Sequence, residues 1–74
     1  MAVAKNIEIT ASSQKSFEDA IQQGIQHASQ SLRNITGAWI KEQKIQIENG
    51  QAIEYRVMMI LTFVLDESTS ADAQ

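Results

Sequence analysis

The chain has 74 residues, 43% of them hydrophobic, with no cysteine, no proline and a single histidine. So short a chain buries only about 60% of the surface its unfolded form exposes, and without disulfides, Cys-based zinc or a multi-histidine site, self-association is the remaining stabiliser. Six basic against nine acidic residues give a net charge of −3 and no basic block for a phosphate backbone, which excludes nucleic acid as an expected partner.

The first segment, Val3 to Thr10, alternates Ile7 and Ile9 with Asn6, Glu8 and Thr10, the pattern of a half-buried strand. Ala11 to Lys15 reads as a short polar connection. At Ser16 a helix begins: its hydroxyl is placed to accept a backbone N–H three residues on, and Glu18 and Asp19 suit the positive end of the helix dipole. Phe17, Ala20, Ile21, Gly24, Ile25, Ala28, Leu32 and Ile35 recur at spacings of three and four, opposite a face of Gln22, Gln23, Gln26, Gln30 and Arg33. This predicts one amphipathic helix from Phe17 to about Arg33, with Asn34 and Gly37 as exit residues. Two extended segments follow, Ala38–Glu48 and Gln51–Leu65, joined by Asn49-Gly50. Both turn residues tolerate the positive φ of a type I′ hairpin. A two-residue loop sets Gln43 opposite Arg56, Ile40 opposite Met59 and Trp39 opposite Ile60.

In the last strand the odd positions Ile53, Tyr55, Val57, Met59, Leu61 and Phe63 form an apolar stripe for the helix. The even positions, from Ala52 to Val64, share the other face with Trp39, Lys41, Gln43, Ile45 and Ile47. One helix cannot cover both sides, so Trp39, Met58, Ile60 and Val64 are left for an interface. The architecture expected is therefore α+β in the order β-α-β-β, self-associated. The longest apolar run, Val57 to Leu65 broken by Thr62, is too short to cross a bilayer. No charged segment followed by an apolar one opens the chain, which makes the cytoplasm the expected location and a membrane an unexpected partner. The tail from Glu67 to Gln74, low in apolar residues, is expected to be a disordered acidic extension of a domain spanning 1–66.

No catalytic constellation stands out. A nucleophile–base pair would have to be built on His27, at the border of the helix's polar face, and Gly24, Gly37 and Gly50 are too isolated for a phosphate loop. The chain is read as a binding protein and not an enzyme. Trp39 offers a flat stacking surface with one donor, or a packing group for a partner. Lys41, Gln43 and Arg56 lie on the same predicted face, where an amide and a guanidinium suit an imide-like edge or a phosphate. The plainer alternative pairs Arg56 with Glu54, Glu42 or another subunit's carboxylate.

The run Thr10-Ala11-Ser12-Ser13, Ser16-Phe17-Glu18-Asp19-Ala20-Ile21, Glu42-Gln43, the Asn49-Gly50 turn, Tyr55-Arg56-Val57 and Thr62-Phe63-Val64-Leu65 resemble the dodecins, over roughly Asn6 to Asp66. The resemblance implies a three-stranded antiparallel sheet partly wrapping one helix, assembled as a hollow homododecamer. It also implies a flavin, riboflavin or FMN, bound at subunit interfaces for storage and buffering. In flavin-binding dodecins a stacking Trp opens the second strand; counted without gaps, that position is Gly37, and Trp39 lies two residues later. Such a shift keeps the face but moves the ring by about 6.5–7 Å. The glutamine that meets the isoalloxazine edge is replaced by Arg56. The expected flavin site is therefore Trp39, Gln43, Arg56 and Lys41. The alternative is a flavin-free dodecin, a structural or calcium-collecting shell using carboxylates such as Glu42, Glu48 and Glu54, a branch that Ala38, Glu42-Gln43 and Tyr55-Arg56 resemble at least as well.

Overall fold

The computed structural model describes residues 3–65. The predicted tail at 67–74 lies outside them. The element order is β1 (Ala4–Ser13), α1 (Phe17–Ala28), β2 (Ile35–Glu48) and β3 (Gln51–Val64), so the β-α-β-β order holds. The strands form one antiparallel sheet in the order β1-β3-β2, with the last strand in the centre. β1 runs three residues past its predicted end, because Ala11 and Ser13 continue the pairing opposite Val57 and Tyr55.

Helix α1 starts where its cap predicts. Ser16 has extended backbone, and its hydroxyl accepts the Asp19 N–H at 3.0 Å. Its end comes five residues earlier than the apolar period implies. The Ser29 hydroxyl donates to the Ile25 carbonyl at 2.8 Å, and Gln30 and Ser31 close tighter turns on His27 and Ala28. Asn34, at φ 61°, then reverses the chain, so that Ile35 opens β2 instead of extending the helix. Gly37 lies inside β2 and is no exit residue.

α1 packs chiefly on β1 and β3. Val57, Met59, Leu61 and Ala20 are fully buried, with Ile7, Ile9, Ala11, Phe17, Ile21 and Ile25 packed around them. The predicted odd-numbered stripe of β3 is the core, except at its ends: Ile53 is 40% exposed. Phe17 meets Tyr55 edge to face at 5.3 Å. At Gly24 the helix comes so close to the sheet that a Cβ would lie 3.0 Å from the Ala11 Cβ and 2.5 Å from the Met59 Cε.

The hairpin turn is as read, with Asn49 at φ 53° and Gly50 at φ 75°. The register is not uniform. Trp39 faces Ile60 and Ile40 faces Met59, as the loop length predicts. Irregularities between Gln46 and Ile47, and between Ile40 and Glu42, shift the stretch between them by one residue. Gln43 therefore faces Val57, and Lys44 faces Arg56. The expected Gln43–Arg56 pair is replaced because each bulge inserts one unpaired residue, Ile53 on β3 and Lys41 on β2. Cross-strand partners share a face, so Gln43 and Ile45, opposite Val57 and Tyr55, belong to the helix side of the sheet.

Candidate functional site

The sheet face turned away from α1, called here the outer face, can be read in rows across the strands. Asn6, Thr62 and Gly37 form one row, tied by a Thr62 hydroxyl donating to Asn6 Oδ1 at 2.8 Å. Glu8, Ile60 and Trp39 form the next. Thr10, Met58 and Glu42 follow, and then Ser12, Arg56 and Lys44. Trp39 is 50% exposed, with Ile60 beside it and open space above Gly37. A planar ring has access to the indole from solvent.

Charge surrounds this apolar centre. Lys41, the bulged residue, sends its Nζ to Glu8 Oε1 at 3.3 Å, from β2 across to β1. Arg56 Nη2 donates to Glu54 Oε1 at 2.8 Å. Both pairs are largely exposed, and each is worth about 0–1 kcal/mol, so they shape the surface more than they stabilise it. Thr10, Met58, Glu42, Lys44 and Arg56 line a shallow hollow of about 50 Å³.

Of the predicted site residues, Trp39, Lys41 and Arg56 share the outer face. Gln43 is turned to the other side by the register shift, and Lys44 takes its place. Nothing in the alternation of β2 alone marks this change, since its cause is an extra residue at Lys41. The carboxylates Glu42, Glu48 and Glu54 pair opposite Met58, Gln51 and Gln46 in separate rows. Among the described residues no group of three His, Asp or Glu side chains is placed to hold a metal ion. His27 lies on α1, across the sheet from Trp39, in a groove between the helix and the free edge of β1. No described helix is long and apolar enough to cross a membrane.

At the start of α1 a second polar cluster forms. Ser13 donates to Asp19 Oδ2 at 2.6 Å, accepts the Lys15 N–H at 2.9 Å, and Gln23 donates to the same carboxylate oxygen at 2.7 Å. The Ser13 hydrogen bond, then Gln23 and the charge of Lys15, hold the Asp19 carboxyl below its ordinary value. These groups satisfy one another and close the β1–α1 connection.

The Dodecin family model matches residues 3–66. The fold is similar to that of the dodecin from Streptomyces davaonensis, at 32% identity and TM-score 0.85, over 89% of this chain and 97% of that one. An arginine-to-alanine mutant of the T. thermophilus dodecin matches at 30% identity and TM-score 0.86, over 90% and 100%. A calcium-chelating dodecin from Mycobacterium tuberculosis matches at 28% identity and TM-score 0.75, over 97% and 96%. No curated protein matches the chain significantly in sequence. With the family model spanning every described residue, and the fold in agreement with solved dodecins, the chain belongs to the dodecin family.

Proposed function

We propose that this protein is a non-enzymatic flavin-binding and storage dodecin, holding riboflavin or FMN at subunit interfaces of a homododecamer. The observation that carries the reading is Trp39, half exposed on a sheet face that no described element covers. An indole so placed provides a stacking surface, and Ile60 and Met58 extend it. Arg56 and Lys41 supply donors at its margin, while Gln43 serves the opposite face of the sheet.

The test is a titration of riboflavin fluorescence with purified protein. Quenching that saturates, and that Trp39→Ala abolishes, supports the proposal; equal quenching by Trp39→Ala refutes the placement of the site. The second reading, a calcium-collecting shell, draws on the likeness to the calcium-chelating dodecin. In that reading Glu42, Glu48 and Glu54 act with carboxylates of other copies, and calorimetry with calcium detects heat where flavin shows none.

A further inference from the structure

The chain has three asparagines, Asn6, Asn34 and Asn49, and their surroundings differ. Asn6 Oδ1 accepts the Thr62 hydroxyl at 2.8 Å, and Asn34 Nδ2 donates to the Val64 carbonyl at 3.4 Å. Each of these two is followed by an isoleucine, whose branched Cβ crowds the backbone nitrogen next to the amide. The Asn34 carbonyl also accepts the Val64 N–H at 3.0 Å, which pins the peptide between Asn34 and Ile35. Asn49 stands apart. It is exposed at the hairpin tip and followed by Gly50, and its side chain enters no hydrogen bond among the described residues.

Positive φ at both Asn49 (53°) and Gly50 (75°) makes the turn type I′. A β-turn is closed by a bond between its two outer residues, so the central peptide, here Asn49 to Gly50, is left unbonded. In type I′ the first central residue has ψ of about +30°, which turns the next backbone nitrogen away from its side chain. Type II′ differs by a half-turn of that one peptide, with ψ of about −120° at the first residue and φ of about −80° at the second. Glycine takes either sign of φ, and both turns match the twist of a hairpin, so the strands stay in place through the flip. At the type II′ value of ψ the Gly50 nitrogen eclipses the Asn49 Cβ, the geometry in which a five-membered ring closes.

We propose that Asn49 is a site of spontaneous deamidation, reached through this peptide flip. The Gly50 nitrogen attacks Asn49 Cγ and forms a C–N bond; the side-chain nitrogen leaves as ammonia, carrying the proton that Gly50 gives up. Water then opens the succinimide at one of its two carbonyls, which yields aspartate or isoaspartate. In the isoaspartyl product Cβ becomes part of the main chain, so the two-residue loop is lengthened, and a new negative charge lies beside Glu48. The site is independent of whatever ligand the outer face takes.

The experiment incubates the purified wild-type protein at mildly alkaline pH and follows the tryptic peptide between Lys44 and Arg56 for a one-dalton gain and for labelling by an isoaspartyl methyltransferase. Both signals are expected at Asn49, with Asn6 and Asn34 unchanged, at a rate several-fold below that of the urea-unfolded chain, in which no turn has to flip. No gain at Asn49 in the folded protein, an equal gain at Asn6 or Asn34, or a folded rate equal to the unfolded one overturns the proposal. Asn49→Asp adds the charge without the extra main-chain atom. The thermal midpoint is expected to fall in the isoaspartyl fraction and to hold in Asn49→Asp; a fall in both, or in neither, refutes the lengthened turn as the consequence.

Discussion

Ser13 is the polar side chain that the described fold buries, and its hydroxyl is fully employed between Asp19 and the Lys15 N–H. Removing it leaves the Asp19 carboxylate with one donor fewer and the Lys15 amide without its acceptor. The consequence is readable as a pH dependence. The folded Asp19 carboxyl lies below the ordinary value of 3.8, so the unfolded chain binds the proton more tightly. Its contribution to stability is present above pH 3.8 and is lost as pH falls through the lower, folded value. Ser13→Ala is expected to bring the Asp19 titration, followed by carboxyl NMR, back toward 3.8. The gap in thermal midpoint between wild type and variant then narrows as the pH drops below 3.8; a gap independent of pH contradicts the assignment. Trp39 belongs to the same scale. Its face was legible from the Asn49-Gly50 turn because the pairing with Ile60 follows the two-residue loop register.

At the scale of elements, the contact between α1 and the sheet depends on Gly24. The approach to Ala11 and Met59 leaves no room for a methyl group, and Met59 is itself enclosed in the core. Gly24→Ala therefore sets about 1–3 kcal/mol of overpacking against a gain in helix propensity of up to about 1 kcal/mol. Net destabilisation is expected, measured as a lower denaturation midpoint at fixed protein concentration. A more stable variant shows instead that the helix can move away from β1 without loss. The early end of α1 is a second element-scale result. Leu32 and Ile35 keep the helical spacing, yet Ser29 and the following turn peel the backbone away, and Ile35 pairs opposite Phe63 in the sheet. An apolar residue at the right interval fits a helix face and a strand face alike, and the choice belongs to the partner it finds.

At the scale of the whole molecule, the described residues of one copy are not compact. Its extents are 57 × 19 × 13 Å, with a radius of gyration of 15.5 Å where a globular chain of this length has about 11 Å. The hairpin runs past the helix, and every residue of β2 after Ile35 is exposed, among them Ile40, Ile45 and Ile47 on a strand that packs chiefly on β3. An apolar strand left bare on both faces calls for other copies of the chain. Light scattering of the purified protein is expected to give about 98 kDa, twelve times 8.2 kDa, and a stable monomer at micromolar concentration refutes the proposed assembly. Ile45→Glu, which puts a charge on the uncovered helix side of β2, is expected to lower that mass.

The amino-acid sequence by itself determined the order of the elements, the Ser16 cap, the Asn49-Gly50 turn and the apolar stripe at Val57, Met59 and Leu61. Each is a local signal, written within a few residues and enforced by hydrogen bonding or by alternation across a single strand. It also placed Trp39 and Arg56 on one face, since the outer positions of β3 from Arg56 to Ile60 alternate without interruption and Trp39 pairs opposite Ile60. Only the tertiary structure decided where α1 stops and which residue stands opposite Arg56. A bulge at Lys41 leaves no mark in composition or period, because it is chosen by how β2 lies against β3. One inserted residue reverses the faces of all that follow until the next, and so Gln43 is exchanged for Lys44 at the centre of the candidate site.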